Sequence, residues 1–78
     1  MTNMNLEEFV KAFAAQLEDT DPSEITKETN FRELDEWDSL TALIIIAFVK
    51  TTFDKSIKGQ EIDTCFSVEE LYNLIESK

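Results

Sequence analysis

The chain has 78 residues, a length that fits one small domain, and 42% of them are hydrophobic, enough to build a thin core. Seventeen Asp and Glu against seven Lys and Arg, with no His, leave a formal charge of −10. Such a chain is repelled by nucleic-acid phosphates and anionic membrane surfaces, its cations are scattered, and basic partner proteins are favoured.

The first predicted element is a helix of about three turns. Leu6, Phe9, Val10, Phe13 and Leu17 fall at i, i+3, i+4, i+7 and i+11, one apolar stripe. Asn5 with Glu8 makes a capping box, Met4 can staple onto Phe9, and the helix is expected to stop near Glu18, ahead of Pro22. Residues 19–38 show no sustained period and read as a long packed loop. Ile25, Phe31, Leu34 and Trp37 are its apolar anchors, and a helical turn is expected near Phe31 to Leu34. The stretch from Glu18 to Asp38 holds nine acids against Lys27 and Arg32.

Ser39 to Phe53 reads as the central helix. Leu40, Leu43, Ile44, Ala47 and Phe48 form one stripe, while Ala42, Ile45, Ile46, Val49 and Phe53 lie largely opposite. Fifteen residues without a turn signal outweigh the strand preference of the Ile44-Ile45-Ile46 run. A loop anchored by Ile57 follows, then a short helical turn from Gly59 through Ile62. A last helix opens on Ser67 with Glu70 as a capping box and Phe66 with Leu71 as a staple, and its stripe is Val68, Leu71, Leu74 and Ile75. The expected fold is all-α. It is a four-helix bundle of three longer helices and one short one, with a long loop between the first and second helices, in one domain over residues 1–78.

Several chemistries are excluded. Cys65 is the only cysteine and no His exists, so there is neither a disulfide, a zinc cluster nor a Cys–His pair. Gly59 is the only glycine, which rules out a phosphate loop or dinucleotide fingerprint. The Asp19-x-Asp21 pattern is not an EF-hand, because Glu24 and Asn30 stand where that loop needs Gly and Glu. No catalytic residue and no metal site is expected, so the protein is not expected to be an enzyme. The expected setting is a reducing cytoplasm, since there is no signal segment near Met1 and no apolar run long enough to span a bilayer.

One junction stands out. Asp38-Ser39-Leu40 lies where the acidic loop meets the central helix, and there the first backbone N–H groups lack intrahelical partners. A phosphate joined to Ser39 would sit at the positive end of the helix dipole. On spacing alone, an ordinary N-cap explains the same residues.

Phe31-Arg32-Glu33-Leu34 followed by Trp37-Asp38-Ser39-Leu40-Thr41-Ala42-Leu43 resembles the phosphopantetheine-binding acyl carrier protein family. Gln16-Leu17, Phe53-Asp54 and the Val68 to Ile75 helix fall in register with it along nearly the whole chain. The resemblance implies a 4′-phosphopantetheine arm, moved from coenzyme A onto Ser39 by a phosphopantetheinyl transferase, whose thiol carries acyl groups as thioesters between enzymes of fatty acid, polyketide or related specialised biosynthesis. It implies that Asp38 orients the loop and helps the transferase's magnesium site, and that Leu40 is the hydrophobic contact beside the arm. An aminoacyl or peptidyl carrier would use the same serine. A reading from another class is an unmodified acidic helical adaptor in which Asp38-Ser39 only caps the helix.

Two departures shape the expected surface. Trp37 stands where many members have a small residue, and it is expected to be a loop anchor or an arm contact. Thr41, Ile44, Lys50 and Thr51 occupy positions that carry acids in members serving fatty acid synthesis. Thr41, Ile44 and Phe48 are therefore expected to form a partly exposed apolar docking face beside the arm, with Glu33, Asp35, Glu36 and Asp38 attracting basic partners. Phe31, Leu34, Leu43, Ile46, Val49, Ile57, Ile62 and Cys65 are expected to line an internal acyl space. The partners are the transferase and the loading and processing enzymes, met by a monomer that binds no nucleic acid and does not insert into membranes.

Overall fold

The computed structural model describes residues 4–78. Four helices follow one another: α1 (Leu6–Ala15), α2 (Ser39–Phe53), α3 (Gly59–Ile62) and α4 (Val68–Glu76), with single 3-10 turns at Pro22–Glu24 and Phe31–Glu33 in the long loop. The described residues form no strand, so the protein is all-helical, as its periodicities predict.

Local chemistry sets most boundaries. The Asn5 side chain accepts from Glu8 N–H at 2.8 Å and Glu8 answers at Asn5 N–H, a reciprocal capping box. α1 ends at Ala15, a turn earlier than expected, where Gln16 and Leu17 N–H turn back to Phe13 and Ala14 carbonyls. α2 ends at Asp54, whose left-handed backbone (φ 55°) lets its N–H return to Lys50 O. The start of α4 departs from expectation. Ser67 caps Glu70 N–H, but Glu70 reaches back to Phe66 N–H and not to Ser67. No staple forms: Leu71 is buried, while Phe66 is 60% exposed with the Arg32 guanidinium over its ring. Arg32 Nε also donates to Cys65 O at 3.0 Å, so one cation ties the loop to the start of α4.

The buried side chains form one cluster. Phe9 is at its centre, with the rings of Phe13, Phe48, Phe53 and Tyr72 all between 5.5 and 6.2 Å from its own. Ile25, Phe31 and Ile57 are buried as the loop anchors expected of them. α2 enters the core by Thr41, Ile45, Val49 and Phe53, a spacing of four that runs down one side. Ile45, Val49 and Phe53 come from the second expected stripe, whose Ala42 and Ile46 are half-buried, and Thr41 joins them from outside it. On a helix apolar all round, period alone leaves the inward face broad, and packing against Phe9 of α1 narrows it.

Candidate functional site

The site begins with the N-cap of α2. Asp38 is extended (φ −151°, ψ −173°), and its carboxylate accepts Thr41 N–H at 2.8 Å and the Thr41 hydroxyl at 3.0 Å. These bonds, the backbone one first, hold the Asp38 carboxyl below its usual range. Ser39 follows as the first residue of α2. It is exposed, and its hydroxyl makes no hydrogen bond among the described residues.

The other described serines are placed differently. Ser23 is bonded to Asp21, Ser67 caps α4, and Ser77 donates to Leu74 O. Ser56 is exposed and unbonded but belongs to the loop before α3, away from any helix start. Charge singles out the same place. α1, α3 and α4 each carry an acid in the first turn, whereas α2 carries none. The positive end of its dipole has only the Asp38 cap beside it, which leaves room for an anion on Ser39.

Beside Ser39 runs an open groove of about 550 Å³, lined by Trp37, Asp38, Ala42, Leu43 and Ile46 with Gly59 and Asp63 of the α3 segment. Trp37 is half-buried and meets Phe31 edge-on at 4.9 Å, so it is a loop anchor whose remaining surface lines the groove. The residues expected to line an internal acyl space divide between this groove and the core, with Leu34 and Ile46 half-buried. Phe31, Val49, Ile57, Ile62 and Cys65 are fully committed to the core, while Leu43 is 61% exposed at the groove. A core this small needs those side chains to fill itself.

Of the three residues expected on a docking face, Ile44 and Phe48 are partly exposed and Thr41 is buried. Thr41 is turned inward: it is 8% exposed, and its hydroxyl donates to Glu36 O at 2.9 Å. Phe48 is half-buried, leaning on Phe9 and Phe53, and Ile44 is half-buried. The large apolar side chains that do face solvent on α2 are Leu40, at 66%, and Leu43. Leu43, expected inside at the acyl space, instead stands exposed on the wall of the groove. Glu33 and Asp35 are exposed and unpaired among the described residues. Glu36 instead accepts hydrogen bonds from Glu18 N–H, Asp19 N–H and the Thr20 hydroxyl, which hold its carboxyl below the ordinary range, the Thr20 bond first. No period or local motif signals that contact, since its partners are 16 to 18 residues away.

Cys65 is buried, and burial pushes its thiol above the ordinary value. No helix among the described residues is long and apolar enough to cross a membrane, and no acidic group there is arranged to hold a metal ion.

Fold and site together define a small helical protein that presents an uncommitted hydroxyl at a helix start beside a groove. The family model described as the phosphopantetheine attachment site matches residues 8–75, and the chain belongs to that family. No curated protein and no solved structure matches it. Members are carriers that hold 4′-phosphopantetheine covalently on a serine and work with a phosphopantetheinyl transferase and biosynthetic enzymes. The residues present fit that group. An exposed hydroxyl can be esterified, a helix whose first turn carries no acid can hold a phosphodiester beside its Asp38 cap, and a groove with apolar and polar walls can lie along the arm.

Proposed function

We propose that Ser39 is the attachment point and that the protein carries acyl thioesters on the arm between cytoplasmic enzymes, itself catalysing nothing. The observation that carries this reading is the Ser39 hydroxyl, exposed and unbonded at the one helix start whose first turn has no acid. The arm supplies a thiol, which the buried Cys65 cannot. The protein's own residues do the rest. Asp38 fixes the first turn of α2 through Thr41, which keeps the Ser39 hydroxyl pointing outward. The N–H groups of that turn and the dipole behind them stabilise the ester phosphate. Leu43, Ile46 and Trp37 give the arm and the first part of its cargo an apolar wall.

Partner enzymes meet the surface around Ser39. We assign the apolar contact to Leu40 and Leu43, with Ile44 and Trp37 at its edges and Phe48 further along α2. Glu33, Asp35 and the free oxygen of Asp38 attract basic residues on those partners. α2 has no carboxylate of its own, so docking is more apolar and more loop-centred than on a carrier with an acidic central helix. That favours specialised biosynthesis over housekeeping fatty acid synthesis.

The test is incubation of the protein with coenzyme A, magnesium and a broad-specificity transferase, followed by intact mass. A gain of one phosphopantetheine that vanishes in Ser39→Ala is expected, and no gain with a transferase that modifies a control carrier leaves an acidic adaptor. Offering the loaded protein to acyl-loading and aminoacyl-loading enzymes then separates the two cargo classes. Thioester formation only with the aminoacyl-loading enzymes contradicts the acyl assignment.

A further inference from the structure

Glu36 grips two elements at once. Its side chain holds the exit of α1: Oε2 accepts Glu18 N–H at 3.2 Å and Asp19 N–H at 3.3 Å, and Oε1 accepts the Thr20 hydroxyl. Those amides lie beyond the last α1 turn, whose closing bonds end at Leu17 N–H, so no helix carbonyl serves them. Its main chain holds the start of α2, because Glu36 O accepts the hydroxyl of Thr41. Thr41 N–H in turn donates to Asp38 at 2.8 Å, and the single hydroxyl proton is shared between Glu36 O and the Asp38 carboxylate. A continuous chain of hydrogen bonds thus runs from residues 18–20 through Glu36 and Thr41 to Asp38, the neighbour of Ser39.

The charge around the clamp makes it more than a loop fastening. Glu18, Asp19, Asp35, Glu36 and Asp38 line one shallow cleft with Gln16, Leu40, Thr41 and Ile44. Carboxylates gathered so closely repel, and that repulsion opens the loop away from α2 unless something holds it. Neutral donors holding one of those carboxylates keep the turn closed. Resting on the reading of Ser39 as the attachment point, we propose that Glu36 is a positioning residue for its modification, holding Asp38-Ser39 in the turn the transferase must meet. It touches neither coenzyme A nor the reacting oxygen. It raises the fraction of the protein whose serine turn is ready before the encounter.

Pre-organisation of this kind has a kinetic signature. Apparent affinity scales with the competent fraction, so a clamp variant in which about a tenth of the molecules hold the turn raises the transferase's KM for the protein about tenfold and leaves kcat unchanged. The alternative role, direct contact with a basic partner, depends on the charge of Glu36 and on nothing around Thr20.

The experiment compares wild type, Glu36→Gln, Glu36→Asp and Thr20→Val in steady-state loading by the transferase, read by intact mass, at low and moderate salt. Thr20→Val is the informative variant, because it removes one donor and leaves every charge in place. Thr20→Val and Glu36→Gln are both expected to raise KM with kcat unchanged. Faster exchange of the Glu18 and Asp19 amides is expected to accompany this, and the KM ratio to persist at moderate salt. Glu36→Asp, which keeps the charge on a shorter reach, is expected to restore less than half of the loss. An unchanged KM in Thr20→Val together with a salt-sensitive rise in Glu36→Gln overturns the proposal and makes Glu36 a partner contact. If the wild type takes up no arm while a control carrier does, the Ser39 reading itself fails and the positioning role falls with it.

Discussion

Thr41→Val tests the architecture of the site through one atom. Valine matches threonine in shape but lacks the hydroxyl, so the change removes the donor to Glu36 O at 2.9 Å and its contact with Asp38 at 3.0 Å while the buried volume stays the same. Thr41 is 8% exposed and its bond to Glu36 O is part-buried, so water replaces the lost donor only in part. A typical net hydrogen bond is worth about 1 kcal/mol, rising to about 2 kcal/mol when the partner is left dry. Stability at this length is of order 4 to 12 kcal/mol, so the loss is a sizeable share. For a domain of this size each kcal/mol lowers the melting temperature by roughly 4–8 °C. Urea melts followed by far-UV circular dichroism are expected to show a lower midpoint with an unchanged slope. A solvent-facing threonine on a docking face would change stability by less than about 0.5 kcal/mol. A result in that range refutes the inward placement of Thr41 and the hydrogen-bond chain built on it.

Three other outcomes follow from the same structure. Phe9→Ala leaves a void among four aromatic rings and costs roughly 3 to 5 kcal/mol; a melting temperature within 5 °C of wild type would contradict Phe9 as the core centre. Asp54→Gly relieves a left-handed backbone position and loses only an exposed ion pair with Lys50; a small rise in melting temperature is expected, and a fall would mean that the Asp54 side chain has a further role. The Glu36 carboxyl titrates below its unfolded value, so its stabilisation is complete above about pH 4.5 and is lost as pH falls through the lowered value. The melting-temperature gap between wild type and Glu36→Gln is therefore expected to be full at neutral pH and to close as pH falls through that lowered value. A gap that widens on acidification reverses the sign of the argument.

The elements with local signals were legible in the sequence. The α1 stripe and its Asn5–Glu8 box, the loop-to-helix junction at Ser39, the short Gly59–Ile62 helix and the α4 stripe all follow from residues within a few positions of one another. What the sequence hid depends on distant parts of the chain. The inward face of α2 was obscured because Thr41, its polar member, is satisfied by Glu36 O, while Leu40 and Leu43 stay outside. Phe66 reads as a staple until Arg32, more than thirty residues earlier, offers its guanidinium. Glu36 reads as one more surface acid until the exit of α1 folds back onto it.

Trypsin offers the most direct test of where the arm sits. Cleavage after Arg32 and Lys50 releases residues 33–50, which contain Ser39 and no other serine, while Ser56 falls in a separate peptide. After loading by the transferase, the phosphopantetheine mass is predicted on the 33–50 peptide, with fragment ions locating it on Ser39. Finding the added mass on any other peptide, or finding a loaded Ser39→Ala protein, would contradict the account at its foundation.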